Sequence, residues 1–215
     1  MMLKKARSLA LIAGWLLASC TSLPDMSKEH LAAARQAREK GELEPALRAL
    51  TDAVNSASEL SFFFTEALLE RGDLYLELWE SRTGVSETER LELLANAQAD
   101  YQAVATWDRP EPLDRARALE GHGRVHLRRG APAEAMRLFR EVLAIRGATE
   151  EANDPLREVH LSVHRQLGWI ILNESLHRLP LDGKPPAAEL DVLREAQEHF
   201  YAGLEISRDD PLSNL

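Results

Sequence analysis

Apolar and small residues recur along this chain at spacings of three and four, the period of a helix that buries one face. From residue 27 to about residue 210 the pattern reads as consecutive helices. Two stretches share one register. Ala34 and Ala37 precede Gly41, and Ala46, Leu50 and Ala53 follow it; Gly123 and His126 precede Gly130, and Ala135, Phe139 and Val142 follow it. In both, the first small residue stands 7 positions before the turn glycine and 12 before the alanine that opens the next apolar stripe. A small residue where helices cross, a glycine at the turn and an alanine that permits close approach describe a helical hairpin. Pro45 and Pro132 sit near the start of each second helix, where a missing N–H costs nothing.

Two looser copies complete the pattern. Leu68, Gly72 and Tyr75 pair with Ala97, Tyr101 and Val104; His164, Leu167, Gly168 and Ile171 pair with Ala196, Phe200 and Gly203. Here the small-to-alanine distances are 25 and 28, insertions of 13 and 16. Tight and expanded copies alternate, as a duplicated two-hairpin unit would. The hairpins fall at about 27–59, 60–110, 111–150 and 151–210, with 211–215 as a tail. The insertions, near 81–90 and 179–189, lie between the two helices of a hairpin and are expected at one edge of the array. Arg82-Thr83-Gly84 and Asp182-Gly183-Lys184-Pro185-Pro186 supply turn chemistry there, and the flanking helices should run one or two turns longer than usual. Gly123 and Gly168 mark close helix crossings. The last helix is expected to end near Ser207, before Asp209-Asp210-Pro211, and to leave an apolar flank exposed.

This arrangement resembles the tetratricopeptide repeat (TPR). The resemblance implies an all-α, right-handed TPR-like solenoid of about four helical hairpins, stabilised by burial of each repeat on the next. It also implies a concave groove lined by the first helix of each hairpin. Carried over by position, Lys28, Arg35 and Arg38 face that groove from the first copy, and Glu66, Asp73 and Glu77 from the second. Arg117, Glu120, Arg124 and Arg128 face it from the third, and Arg165 and Trp169 from the fourth. The candidate partner-binding set is therefore Arg35, Arg38, Arg117, Arg124, Arg128, Arg165 and Trp169. Arginine suits bidentate recognition of carboxylates and Trp offers a flat face, so the expected partner is an envelope protein or peptide of acidic character. The competing reading has the same arginines pairing with glutamates of neighbouring helices. Leu31 and Arg35 stand where a carboxylate clamp of Lys and Asn would begin, so capture of a free C-terminus is not supported.

The first residues carry an address. Lys4, Lys5 and Arg7 precede an uncharged apolar run, Leu9 to Leu17, which is signal-like and too short to span a bilayer. The run ends Leu17-Ala18-Ser19-Cys20, which resembles the bacterial lipobox. That resemblance implies removal of 1–19, lipidation of the Cys20 thiol, palmitate among the acyl chains, and acylation of the new N-terminus. The other reading is an ordinary secretory signal with an incidental cysteine, but Cys20 is the single cysteine of the chain. One acyl chain holds a protein marginally and two hold it firmly. Thr21, where Asp would favour inner-membrane retention, points to the outer membrane and its periplasmic face. Residues 20–26 form a short linker; six or seven extended residues reach about 20–25 Å, so the array would hang close to the bilayer.

Composition narrows the function classes. Of 215 residues, 45% are hydrophobic and 28% charged, a globular balance. The net charge is −9, and −12 once the three basic residues of the signal are gone, which argues against nucleic-acid binding. One cysteine rules out a disulfide framework or a multi-cysteine metal cluster. There is no Gly-x-Ser-x-Gly elbow, no His-Glu-x-x-His and no P-loop, so the chain reads as non-catalytic and without cofactor. His122 and His126 are four apart, as are His160 and His164, on first helices of neighbouring hairpins. Four imidazoles can hold zinc, yet His126 and His164 fall at packing positions of the repeat, and packing is the preferred reading. In Phe62-Phe63-Phe64 at least one ring must face away from its own hairpin, either onto the first hairpin or toward a ligand. The expected function is a lipid-anchored adaptor, similar to TPR lipoproteins of outer-membrane assembly machinery. The alternative is a TPR lipoprotein that binds a small molecule for a transport system.

Overall fold

A computed structural model describes residues 26–58, 61–108, 110–146, 155–178 and 186–208. The signal and lipobox with Cys20, most of the second insertion and the tail lie outside the described residues. Among the described residues the fold is all-α, with eight helices: α1 Ser27–Glu39, α2 Leu43–Ser56, α3 Phe62–Ser81, α4 Glu87–Ala105, α5 Pro112–Arg128, α6 Pro132–Leu143, α7 Pro155–Leu176 and α8 Ala187–Arg208. Sequential pairs form four antiparallel hairpins of TPR-like design. Hairpin lengths alternate as the spacing predicts: α3 and α4 run 20 and 19 residues and α7 and α8 run 22 each, against 13 and 14 for α1 and α2.

The tight turns of the first and third hairpins are built alike. Gly41 and Gly130 adopt φ of 74° and 71°, a left-handed conformation that glycine enters without a Cβ penalty. The glycine N–H then donates to Arg38 or Leu127, and the next N–H to Ala37 or His126, so the last carbonyls of α1 and α5 are satisfied. The longer connection before α4 stops at a capping box. Glu89 N–H donates to Ser86 Oγ at 3.2 Å, and Ser86 N–H donates to Glu89 Oε2 at 2.9 Å. Pro112, Pro132 and Pro155 each open a helix at its first position.

The apolar core forms three clusters, one at each junction between successive hairpins, linked by the half-buried Val54, Tyr75, Trp79 and Ala105. Leu31, Leu50, Leu74 and Leu78 join the first to the second; Leu69, Tyr101, Ala118 and Val125 join the second to the third; Leu119, Phe139, Val163 and Leu167 join the third to the fourth. The backbones of first helices approach each other in series (α1 to α3, α3 to α5, α5 to α7), whereas among the described residues those of successive second helices do not, and α6 and α8 meet only through side chains, Arg140 with Glu195. The first helices therefore line the inner side of the curve. The junction between α6 and α7 is the thinnest between consecutive helices.

Within each of the last three hairpins an aromatic ring of the second helix lies on a glycine of the first. The pairs are Gly72 with Tyr101, Gly123 with Phe139 and Gly168 with Phe200. Tyr101 also lies against Gly121 of the next hairpin, so one ring fills a slot made by two glycines. Its hydroxyl donates to Asp73 Oδ1 at 2.7 Å, and burial holds the phenol far above its ordinary pKa. Beside it, Arg71 makes a bidentate, largely buried pair with Asp100 at 2.8 and 2.7 Å.

Candidate functional site

The concave face carries the charged residues expected there, but most of its arginines are engaged. Arg35 reaches from α1 to Glu66 at 2.5 Å and Glu70 at 2.5 Å on α3, and Arg38 reaches Glu77 at 2.8 Å. From α5, Arg124 meets Asp73 at 3.3 Å and Arg128 pairs with Glu80. The Arg128 guanidinium also lies 5.4 Å from the centroid of Trp79, with Arg90 at 5.1 Å from the same ring. Exposed ion pairs of this kind add about 0–1 kcal/mol each; repeated along the groove they bridge neighbouring first helices. Arg35, Arg38, Arg124 and Arg128 thus pair as in the competing reading, with carboxylates of neighbouring helices. The carboxylates that satisfy them come from the neighbouring hairpin.

Arg117 and Arg165 differ. Neither makes an ion pair or hydrogen bond with another described residue. Arg165 is exposed on α7, and Trp169, one turn on, is 64% exposed. Together they form a ridge between two half-open recesses. One, of about 380 Å³, is mostly apolar and is completed by Leu161, Phe200, Gly203 and Leu204. The other, of about 350 Å³, is polar and is completed by Glu120, Arg124, Ser162 and Gln166. Glu120 accepts from Ser162 Oγ at 2.5 Å and from Gln166 Nε2 at 3.0 Å. Burial pushes its carboxyl above the usual carboxylate range, against the pull of those bonds and of Arg124. A cation and an indole thus separate an apolar slot from a polar one.

The residues that complete the apolar slot around Trp169 were not anticipated. Gly203 occupies the register held by Ala53, Val104 and Val142 in the other hairpins. Those three side chains are buried in the core. A Cβ at Gly203 would stand 3.3 Å from Leu161 Cδ1 and 3.7 Å from His164 Cβ, so the glycine lets α7 and α8 approach closely at the wall of the slot.

The other candidates separate. Phe63 packs into the core of the first two hairpins and Phe64 lies edge-on to Trp107, while Phe62 is 63% exposed. The four histidines do not converge. His122 and His126 stack on each other at 4.9 Å, His160 Nε2 meets the Val142 carbonyl at 3.2 Å, and His164 Nδ1 lies 2.9 Å from His199 Nδ1 on α8. Among the described residues, no group of three or more His, Cys, Asp or Glu side chains is placed to hold a metal ion. Nor is any described helix long and apolar enough to cross a membrane.

No family model and no curated protein matches the chain. Solved structures similar to it include two of a Podosopora anserina protein described as a kinesin light chain with nearly identical TPR-like repeats. The first is 15% identical, with 89% of this chain and 97% of that chain covered and a TM-score of 0.44. The second is 16% identical, with 88% and 98% covered and a TM-score of 0.42. The TPR-like fold itself rests on the hairpins, their glycine crossings and the inner row of first helices.

Proposed function

We propose that this protein is a lipid-anchored, non-catalytic TPR-like adaptor of the bacterial envelope, and that it docks a protein or peptide partner on the Arg165–Trp169 ridge. The observation that carries the docking site is the contrast among the arginines: four are paired across hairpins, while Arg165 stands unpaired beside an exposed indole and an apolar slot. A partner segment would set an apolar side chain into the slot and a carboxylate against Arg165, with Trp169 as the central anchor. The anchor rests on the sequence at Cys20, and the outer-membrane address on Thr21. Confinement to a membrane surface raises the effective concentration of such an adaptor toward membrane-bound partners.

In-cell crosslinking followed by detergent extraction and mass spectrometry tests this. Arg165→Glu and Trp169→Ala should each lower recovery of the specific partner at least tenfold, while Arg35→Glu, which alters a paired arginine, should retain it. Equal loss from Arg35→Glu and Arg165→Glu, or no loss from either, would move the docking site elsewhere. Cys20→Ala should release the chain from the membrane fraction. The size of the apolar slot favours a second reading, small-molecule binding for a transport system, since ligand sites begin near 300 Å³. A co-purifying small molecule in native mass spectrometry, lost in Trp169→Ala, would support it.

A further inference from the structure

A third recess, of about 230 Å³, opens between the second and third hairpins, away from the Arg165–Trp169 ridge. Its wall includes Phe62 at the start of α3, Trp107 just after α4, and Glu111 and Asp114 at the start of α5. Asp114 is only 9% exposed, yet it makes no hydrogen bond and no ion pair with another described residue. Burial, with Glu111 and Glu66 nearby, raises its pKa, and Arg117 opposes this without forming an ion pair with it. Glu66 is itself taken by Arg35. The little exposure Asp114 has is to the recess, whose wall it lines, and a carboxylate that faces a recess without a partner has a cation as its natural complement.

A plainer account is that acids are favoured in the first turn of a helix. That account is incomplete here. The N-termini of α3 and α5 each present about half a positive charge, whereas Glu111 and Asp114 bring two negative charges. The sum leaves about one negative charge. The helix ends also provide no hydrogen bond to the Asp114 side chain. The two ring systems add a second, independent feature. Phe62 is largely exposed in the wall of the same recess, and Trp107 is held edge-on by Phe64. Aromatic faces beside carboxylates attract alkylammonium and guanidinium groups, whose carbon or planar surfaces prefer a π-face to water.

We propose that this recess is a binding site for an alkylammonium or guanidinium group, held by the Phe62 and Trp107 rings and by the carboxylates of Asp114 and Glu111. The site does not depend on the adaptor reading, and its charge is opposite to that of Arg165. The group can belong to a free organic cation or to a Lys or Arg side chain of a partner.

The test is an NMR titration of the full chain in non-ionic detergent, following the Trp107 indole N–H. The probes are tetramethylammonium and guanidinium, then blocked lysine and arginine amides, with potassium at matched ionic strength as control. Saturable shifts with the organic cations but not with potassium are expected. Asp114→Asn should weaken binding at least tenfold. Because Asp114 is buried, Phe62→Ala and Glu111→Gln at exposed positions serve as folding-safe variants, each weakening binding about threefold or more with an unchanged melt. Tighter binding of the blocked amides points to a partner side chain; tighter binding of tetramethylammonium points to a free ligand. Equal shifts with potassium, absence of saturation, or indifference to Phe62→Ala and Glu111→Gln would overturn the site.

Discussion

At the scale of single residues, the glycine crossings make the sharpest prediction. A Cβ built on Gly123 stands 2.4 Å from a Phe139 ring carbon, closer than real contacts allow, and Phe139 is fully buried. Gly123→Ala should gain about 1 kcal/mol of helix propensity and lose more than that to overpacking, for a net cost of about 1–3 kcal/mol. Gly123→Leu should cost more. In a Phe139→Leu background the penalty of Gly123→Ala should shrink by about 0.5–3 kcal/mol, the usual coupling of residues in contact. Equal penalties in both backgrounds by denaturant unfolding would show that the ring does not set the crossing. This crossing was legible because a small residue at a fixed offset from a turn glycine is a local signal. The Gly121–Tyr101 contact was not, because it joins two hairpins and depends on how one stacks on the next. The same reason hid the arginine pairings. The face of Arg35 and Arg38 followed from helical position, but their match to Glu66, Glu70 and Glu77 depends on the offset between hairpins.

At the scale of elements, α7 and α8 are joined by a histidine pair that spacing alone assigns wrongly. Along α7 the four-residue interval matches His164 with His160, but across the hairpin His164 meets His199. Helix boundaries and the alternation of short and long hairpins follow from periodicity; contacts between the faces of a long hairpin do not. The pair predicts a pH response. His164, beside His199 and His160, and His199, beside Arg140, Glu195 and Glu198, are both lowered in pKa, chiefly by burial. His122 and His126 shift the same way. A histidine depressed in the folded state binds its proton more readily when unfolded. Its stabilising effect is complete above the unfolded pKa of about 6.5 and is lost as pH falls below it. Asp100, Asp114 and Glu120, raised by burial, act in the opposite sense in acid. The decisive quantity is therefore a difference between two proteins. Between about pH 7.5 and 5.5 the wild type should lose more stability than His164→Gln/His199→Gln, measured by chemical denaturation. Parallel pH profiles would remove the pair from the account.

At the scale of the whole molecule, the links between hairpins change character along the array. Charged pairs on the inner face tie the first hairpin to the second and the second to the third. Between the third and fourth, Glu120 instead accepts from Ser162 and Gln166, and Arg140 on α6 meets Glu195 on α8 at 3.2 Å. The α6–α7 junction is also the thinnest between consecutive helices, while α7 and α8 pack extensively on each other. In a linear array each repeat is held by its own core and by its neighbours alone, so a repeat with a strong interior and a thin junction should open as a unit. Leu167 is fully buried in the core shared by the third and fourth hairpins. Leu167→Ala should cost about 2–5 kcal/mol locally. By hydrogen exchange, protection should fall throughout α7 and α8 and stay unchanged in α1 to α4. A uniform fall across all four hairpins would instead make the array one cooperative unit. The distinction bears on the proposed docking site, because the Arg165–Trp169 ridge lies on this last hairpin. If the hairpin opens separately, a partner that binds the ridge must also hold it closed, and its apparent affinity falls by the fraction of molecules that are open. Protection of α7 and α8 should then rise with partner concentration while α1 to α4 stay constant, which places the work of recognition in the repeat least supported by the rest of the chain.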